Sequence, residues 1–128
     1  MRKLNKSATK TFEDIIEKLN GADHITIDNS SFMPLSVEKL YTTDIGTFYS
    51  FCHYFKQNGD MCQDPEMLFI KHKNGAVYPA MFQQAIPPIY QESIFMEHGK
   101  WQVRTSWQKQ HTSFANMWLK NIKYQQLR

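Results

Sequence analysis

Apolar positions near the start of the chain recur at helical spacing and then switch to strict alternation. Phe12, Ile15, Ile16 and Leu19 fall at i, i+3, i+4 and i+7, which predicts one apolar face of a helix over residues 11–20. Thr11 followed by Asp14 has the form of a capping box, and Gly21 suits the stop. Residues 1–8 are polar and basic and read as a mobile arm. From residue 24 the period is two. Ile25 and Ile27 alternate with His24, Thr26 and Asp28, and over 33–41 Met33, Leu35, Val37 and Tyr41 point one way, with Lys39 the exception. A turn follows at 42–46. Residues 47–56 carry Phe48, Tyr49, Phe51, Tyr54 and Phe55 on both faces, as expected of a central strand covered on each side.

Residues 57–65 read as a loop by their turn residues. Strands over 66–72 and 76–83 are joined by Lys73-Asn74-Gly75, a strong hairpin signal, and Pro79 predicts an edge or a bulge in the second. After Pro87-Pro88 a strand is expected over 89–97, then a turn at His98-Gly99 and a short strand pairing back over 100–104. Trp107, His111, Phe114, Trp118, Ile122 and Gln125 then recur every three or four residues, a helix over 106–126 broad enough to cover a sheet face. The expected fold is α+β, a single domain over 1–128. It combines an antiparallel meander of five to six strands with an N-terminal and a C-terminal helix.

Composition narrows the class without supplying a chemistry. A chain of 128 residues, 14% of them aromatic, has core material enough to exclude disorder and needs no staple. No apolar run approaches the roughly 20 residues of a membrane helix. The basic start lacks the apolar stretch of a signal peptide. Cys52 and Cys62 form no C-x-x-C pair, and a reducing, cytoplasmic setting is expected.

Charge is uneven. The net +3 divides into +2 over residues 1–21, −5 over 22–98 and +6 over 99–128, where no acid occurs. The favoured expectation is that the basic terminal helix lies on its own acidic sheet, with its last bases set at the C-terminal end of the macrodipole. The alternative is a surface for an external polyanion.

Candidate chemistry concentrates at the 57–66 segment. Asn58, Asp60, Asp64 and Glu66, flanked by His53 and His72, would suit a partner contact, or a hard cation if they converged. Their spacing matches no EF-hand, H-E-x-x-H or nuclease pattern, and turn chemistry explains Asn58-Gly59-Asp60 and Asp64-Pro65 equally well. Glu92 shares its strand face with Tyr90, Ile94 and Met96 and would point inward, paired to a base. The five histidines sit on separate elements, no serine lies in a nucleophile elbow and no glycine-rich phosphate loop occurs. Lys100, Arg104, Lys109, Lys120 and Lys123, with Arg2, Lys3, Lys6 and Lys10, are the nucleic-acid candidates, with Trp101, Trp107 and Tyr124 lying among the C-terminal bases as in stacking sites. No catalytic residue, metal or cofactor is expected.

Three stretches carry a resemblance: His53-Tyr54-Phe55-Lys56-Gln57-Asn58-Gly59-Asp60-Met61-Cys62-Gln63-Asp64-Pro65-Glu66-Met67; Phe82-Gln83-Gln84 followed by Tyr90-Gln91-Glu92; and Phe114-Ala115-Asn116-Met117-Trp118-Leu119-Lys120-Asn121-Ile122. Together they resemble a family of small bacterial proteins of unknown function carried mainly on conjugative and integrative mobile elements and phages. The chain departs from that pattern at Cys62, where a methionine is expected nearby, and in its longer basic start. The family brings no assigned activity, so no catalytic residue carries over. What the resemblance implies is a bacterial cytosol and an accessory role for a mobile element. The expected function is a non-enzymatic interaction protein, monomeric or dimeric through an edge near Pro79, that binds a host or element-encoded protein and no membrane. A nucleic-acid module on the basic ends is the alternative, and a metal-dependent enzyme at residues 60–66 ranks third.

Overall fold

The alternation read between residues 24 and 92 becomes a six-stranded antiparallel sheet whose spatial order is its sequence order. The strands are β1 (His24–Ile27), β2 (Leu35–Thr42), β3 (Gly46–Gln57), β4 (Asp60–His72), β5 (Val77–Gln84) and β6 (Ile89–Glu92). Two more, β7 (Ile94–Glu97) and β8 (Lys100–Val103), form a separate hairpin, and the helices are α1 (Lys6–Glu17) and α2 (Thr105–Gln126). This computed structural model describes residues 1–29 and 31–127; Ser30 and Arg128 lie outside them. The fold is the α+β meander with terminal helices that the pattern predicts.

Successive strand residues point to opposite faces, and here the two faces receive different covers. Both helices pack on one. Phe12, Ile15, Ala115, Leu119 and Ile122 meet Val37, Phe51, Met67 and Phe69 in the main core, where Phe12 stacks on Phe51 at 5.1 Å. On the other face Phe48, Ile70 and Ala80 meet Ile94 of the β7–β8 hairpin. Strand β3 is thus central and covered on both sides at its Phe48 end. Gly46 opens it where a Cβ would fall 2.2 Å from the Lys71 carbonyl oxygen, so only glycine admits the close approach of β4.

Several boundaries differ from expectation. The first helix begins at Lys6, capped by Asn5, whose side chain accepts from the Ala8 amide, and Thr11 is a buried position within it. Residues 1–8 are therefore no free arm. Leu4 is 2% exposed, its amide donates to the Val77 carbonyl, and the Gln108 side chain bonds both the amide and the carbonyl of Arg2 at 2.7 and 2.6 Å. The 57–65 loop is instead a two-residue turn, Asn58 (φ 52°) and Gly59 (φ 87°), joining two long strands; both residues adopt the left-handed region that this tight hairpin requires. Pro79 marks a bulge inside the sheet and not an edge: the register slips where β4 meets β5. The outer side of β5 is occupied there by the Leu4 amide on Val77 and the Ser93 amide on Ala80, which removes the edge suggested for dimerisation.

The strand expected over 89–97 breaks at Ser93, where the chain leaves the sheet to fold over its face. In α2 the buried stripe centres on Gln108, His111, Thr112, Ala115, Trp118, Leu119, Ile122 and Gln126, while Trp107, Phe114 and Gln125 are half-buried at its border. Two buried glutamines account for the shift. Gln108 holds the N-terminal segment, and Gln126 bonds the Asn29 amide and the Met33 carbonyl at 3.0 and 2.7 Å, so each satisfies its own amide while fixing a connection.

Candidate functional site

The 57–66 carboxylates do not converge. Asp60 and Asn58 are exposed at the β3–β4 turn and Asp64 is exposed at the irregularity in that pair. His53 points to the helix side, 8% exposed, where its Nδ1 accepts from Trp118 Nε1–H at 3.4 Å. Burial holds its pKa below the usual value, partly offset by Asp64. Glu66 lies on the opposite face. Among the described residues no group of three or more His, Cys, Asp or Glu side chains is placed to hold a metal ion. Dispersal follows from the alternation, since an odd position on β3 and Glu66 on β4 project from opposite sides of the sheet.

Glu66 instead organises the face that the helices leave open. Cross-strand register aligns Cys52, Glu66, Gln83 and Tyr90 in one row and Ser50, Leu68, Met81 and Glu92 in the next. The Glu66 carboxylate accepts from Ser50 Oγ–H at 2.5 Å and from the Gln83 amide. Tyr90 donates to Glu92 Oε1 at 3.0 Å. Burial raises the pKa of Tyr90, with the hydrogen bond to Glu92 and the charges of Glu92 and Glu66 adding to it; Tyr41 is raised by burial and then by Glu92. Burial dominates both shifts, and the nearby carboxylates add a smaller negative contribution over an aromatic surface. Glu92 is exposed here, not turned inward, and Arg104 bonds its carbonyl oxygen rather than its carboxylate.

The hairpin turns this face into a groove of about 340 Å³, bordered by Tyr41, Tyr90 and Glu92 from the sheet and by Ile94, Met96 and Trp101 from the hairpin. Trp101 is fixed by its Nε1–H donating to Asp44 at 3.1 Å and by stacking on Phe48 at 5.7 Å. Tyr41 stacks on the other side of Phe48 at 4.8 Å. Tyr41, Tyr90 and Met96 remain 51%, 60% and 49% exposed. Trp101, expected among the basic nucleic-acid candidates, stands instead in the wall of this groove, and Tyr41, expected only as one position of a strand face, stands at its rim. The Tyr90–Glu92 spacing on one strand face was a legible hint, but the hairpin's return over the sheet was not.

Two arrangements that resemble catalytic sets are closed by burial. Cys52 is pushed up to about 12, mainly by desolvation, so it stays a thiol at neutral pH and is no nucleophile. His111 bonds Ser93 Oγ through Nδ1 at 3.0 Å and Gln91 Oε1 through Nε2 at 2.9 Å. The Gln91 acceptor places the ring proton on Nε2, leaving Nδ1 to accept from the hydroxyl. Ser93 is 0% exposed, however, and no substrate reaches it. The trio ties α2 to the break between β6 and β7.

The basic candidates divide. Lys100 stands at the β7–β8 turn, and Arg104 precedes the first turn of α2 without a side-chain cap bond, its guanidinium 3.9 Å from the Phe95 ring centre. Lys109, Lys120 and Lys123 are exposed on the solvent side of α2. The helix lies against the sheet, as expected, but among the described residues its lysines make no ion pair and point to solvent.

The family described as Domain of unknown function (DUF6908) matches residues 10–128, and the chain belongs to it. No curated protein and no solved structure matches the chain.

Proposed function

Starting from membership of a family without assigned activity, we propose that the protein is a non-enzymatic interaction protein that holds a protein partner in the groove of its open sheet face. The exposed Tyr41–Tyr90–Met96 surface under the charge of Glu92 and Glu66 carries this reading. Aromatic and methionine side chains give contact area at low entropic cost, and the carboxylates select a partner segment whose lysines or arginines sit on apolar stems. Arg104 over Phe95 is an internal instance of that contact. The resemblance read in the sequence supports a bacterial mobile element as the setting and a host or element-encoded protein as the target. No nucleophile, base and acid converge on the groove among the described residues, which favours binding over catalysis.

Capture from bacterial lysate, with and without nuclease treatment, tests this reading. A protein retained after nuclease by the wild type and lost by the exposed-site double variant Tyr90→Ala/Glu92→Lys supports it. Equal retention by that variant, or capture that vanishes with nuclease, counts against it.

A further inference from the structure

We propose that the far side of the molecule carries a second site, a groove between the two helices that binds single-stranded nucleic acid. Its chemistry comes from the C-terminal half of α2. Over its 22 residues α2 contains no acid, and the acids of the neighbouring α1 are partly occupied: Asp14 pairs with Lys10 and Glu13 with Lys71 at 2.5 and 2.9 Å. The helices lie side by side and run the same way: Ser7 at the start of α1 sits beside Lys120 to Tyr124, and Glu17 at its end sits beside Leu127 just past the end of α2. Their outer groove, about 480 Å³, is lined by Ser7, Lys120, Asn121, Lys123, Tyr124 and Leu127.

The combination of groups identifies the ligand. Lys120 and Lys123 supply cations for phosphates, and Ser7 and Asn121 supply polar groups beside them. Lys120 lies one turn before Tyr124 on the same helix face. Tyr124 is 64% exposed in that cation-lined groove, an arrangement suited to stacking a base whose phosphates meet the lysines. A duplex keeps its base faces covered, and neither helix is part of a helix-turn-helix pair, so an unpaired strand is the better fit. This site is opposite the partner groove and does not depend on it.

Fluorescence anisotropy with a labelled oligothymidine strand, its duplex counterpart and an unlabelled polyglutamate competitor tests the assignment on the full chain. The strand should bind with a log–log salt dependence that falls by about 1.4 in slope when Lys120 and Lys123 are both changed to glutamine, about 0.7 for each phosphate no longer neutralised. Tyr124→Ala should weaken binding roughly five- to a hundredfold at fixed salt with the slope retained, and Tyr124→Phe should restore it. All four changes are at exposed positions, and circular dichroism checks that each variant is folded. Absence of binding at low salt, equal affinity for the duplex, displacement by polyglutamate as readily as by unlabelled strand, or indifference to Tyr124→Ala would overturn the assignment.

Discussion

The two faces of this sheet are made by the same strands and the same alternation, yet only one is fully covered. Towards the helices, Val37, Phe51, Met67 and Phe69 are all 0% exposed beneath two amphipathic elements. Towards the hairpin, Phe48 and Ile70 are equally buried, but the two four-residue strands β7 and β8 reach over only part of the surface. Beyond their reach the residues change character: half-buried Glu66 and Gln83 form a hydrogen-bonded set with the buried Ser50, and Tyr41, Tyr90 and Glu92 stand exposed at the margin. An apolar face is completed by a cover of matching size. Where the cover is short, the exposed remainder must be polar enough for solvent and apolar enough to be worth docking against, and the groove meets both conditions.

Four variants test this contrast between the faces. Phe51→Ala removes a ring stacked on Phe12 and set edge-on to Phe69 and should cost about 3–5 kcal/mol in urea unfolding; a loss below about 1 kcal/mol would deny the helix-covered face its dominant role. Acid comes next. Burial lowers the His111 pKa to about 4 from an ordinary 6.5, so the unfolded chain takes up this proton near pH 6.5 and the folded chain only near 4. The stability from keeping the ring neutral is complete above pH 6.5 and disappears as pH falls towards 4, a change on the order of 3 kcal/mol. The His53 shift has the same sign. His111→Gln should flatten the urea midpoint across that window, and an unchanged slope would show that the Ser93–His111–Gln91 tie does not govern it.

Smaller effects belong to the open face and the rim. Glu66→Ala leaves the Ser50 hydroxyl and the Gln83 amide without their acceptor and should cost about 1–2 kcal/mol. The same variant should lower the ionisation pH of Tyr54 and Tyr90, since the Glu66 charge contributes to raising both; ultraviolet titration reads this, and tyrosine curves identical to wild type would contradict the negative field assigned to the groove. Lys71→Met, which breaks a partly exposed pair with Glu13, should change stability by under about 1 kcal/mol. A larger loss would mean that this ion pair, and not apolar packing, anchors α1 to the sheet.

Much of the fold was legible because its elements are periodic. The final helix starts within one residue of its expected place, and every strand of the meander except the first half of β4 is foreshadowed by alternating or continuous apolar positions. What escaped was non-local. Leu4 has no apolar neighbours in sequence to reveal that it enters the core; its place depends on Val77 and, through Arg2, on Gln108 more than a hundred residues away. Asn58-Gly59 carried the same hairpin signal that was accepted at Asn74-Gly75, but Gln63, Asp64 and Pro65 broke the alternation beyond it and concealed the strand. The candidate site was less legible than the fold. Glu66, a candidate for a partner contact or a cation, lies in a hydrogen-bond network with Ser50 and Gln83 and apart from His53, since residue spacing along β3 and β4 says nothing about which face each reaches until the register is known. Lys120 and Lys123 were found from charge alone, whereas their association with Ser7 of α1 required the helix pairing.

The central claim, that the open-face groove holds a protein partner, is tested most directly by photo-crosslinking in bacterial lysate. A photoreactive aromatic residue replaces Tyr90 in the groove or, as a control, Lys18 at the exposed end of α1. A partner held in the groove gives a discrete, nuclease-resistant protein adduct from position 90 that is suppressed by Glu92→Lys and is absent from position 18. A discrete adduct from position 18 with none from position 90 would contradict it.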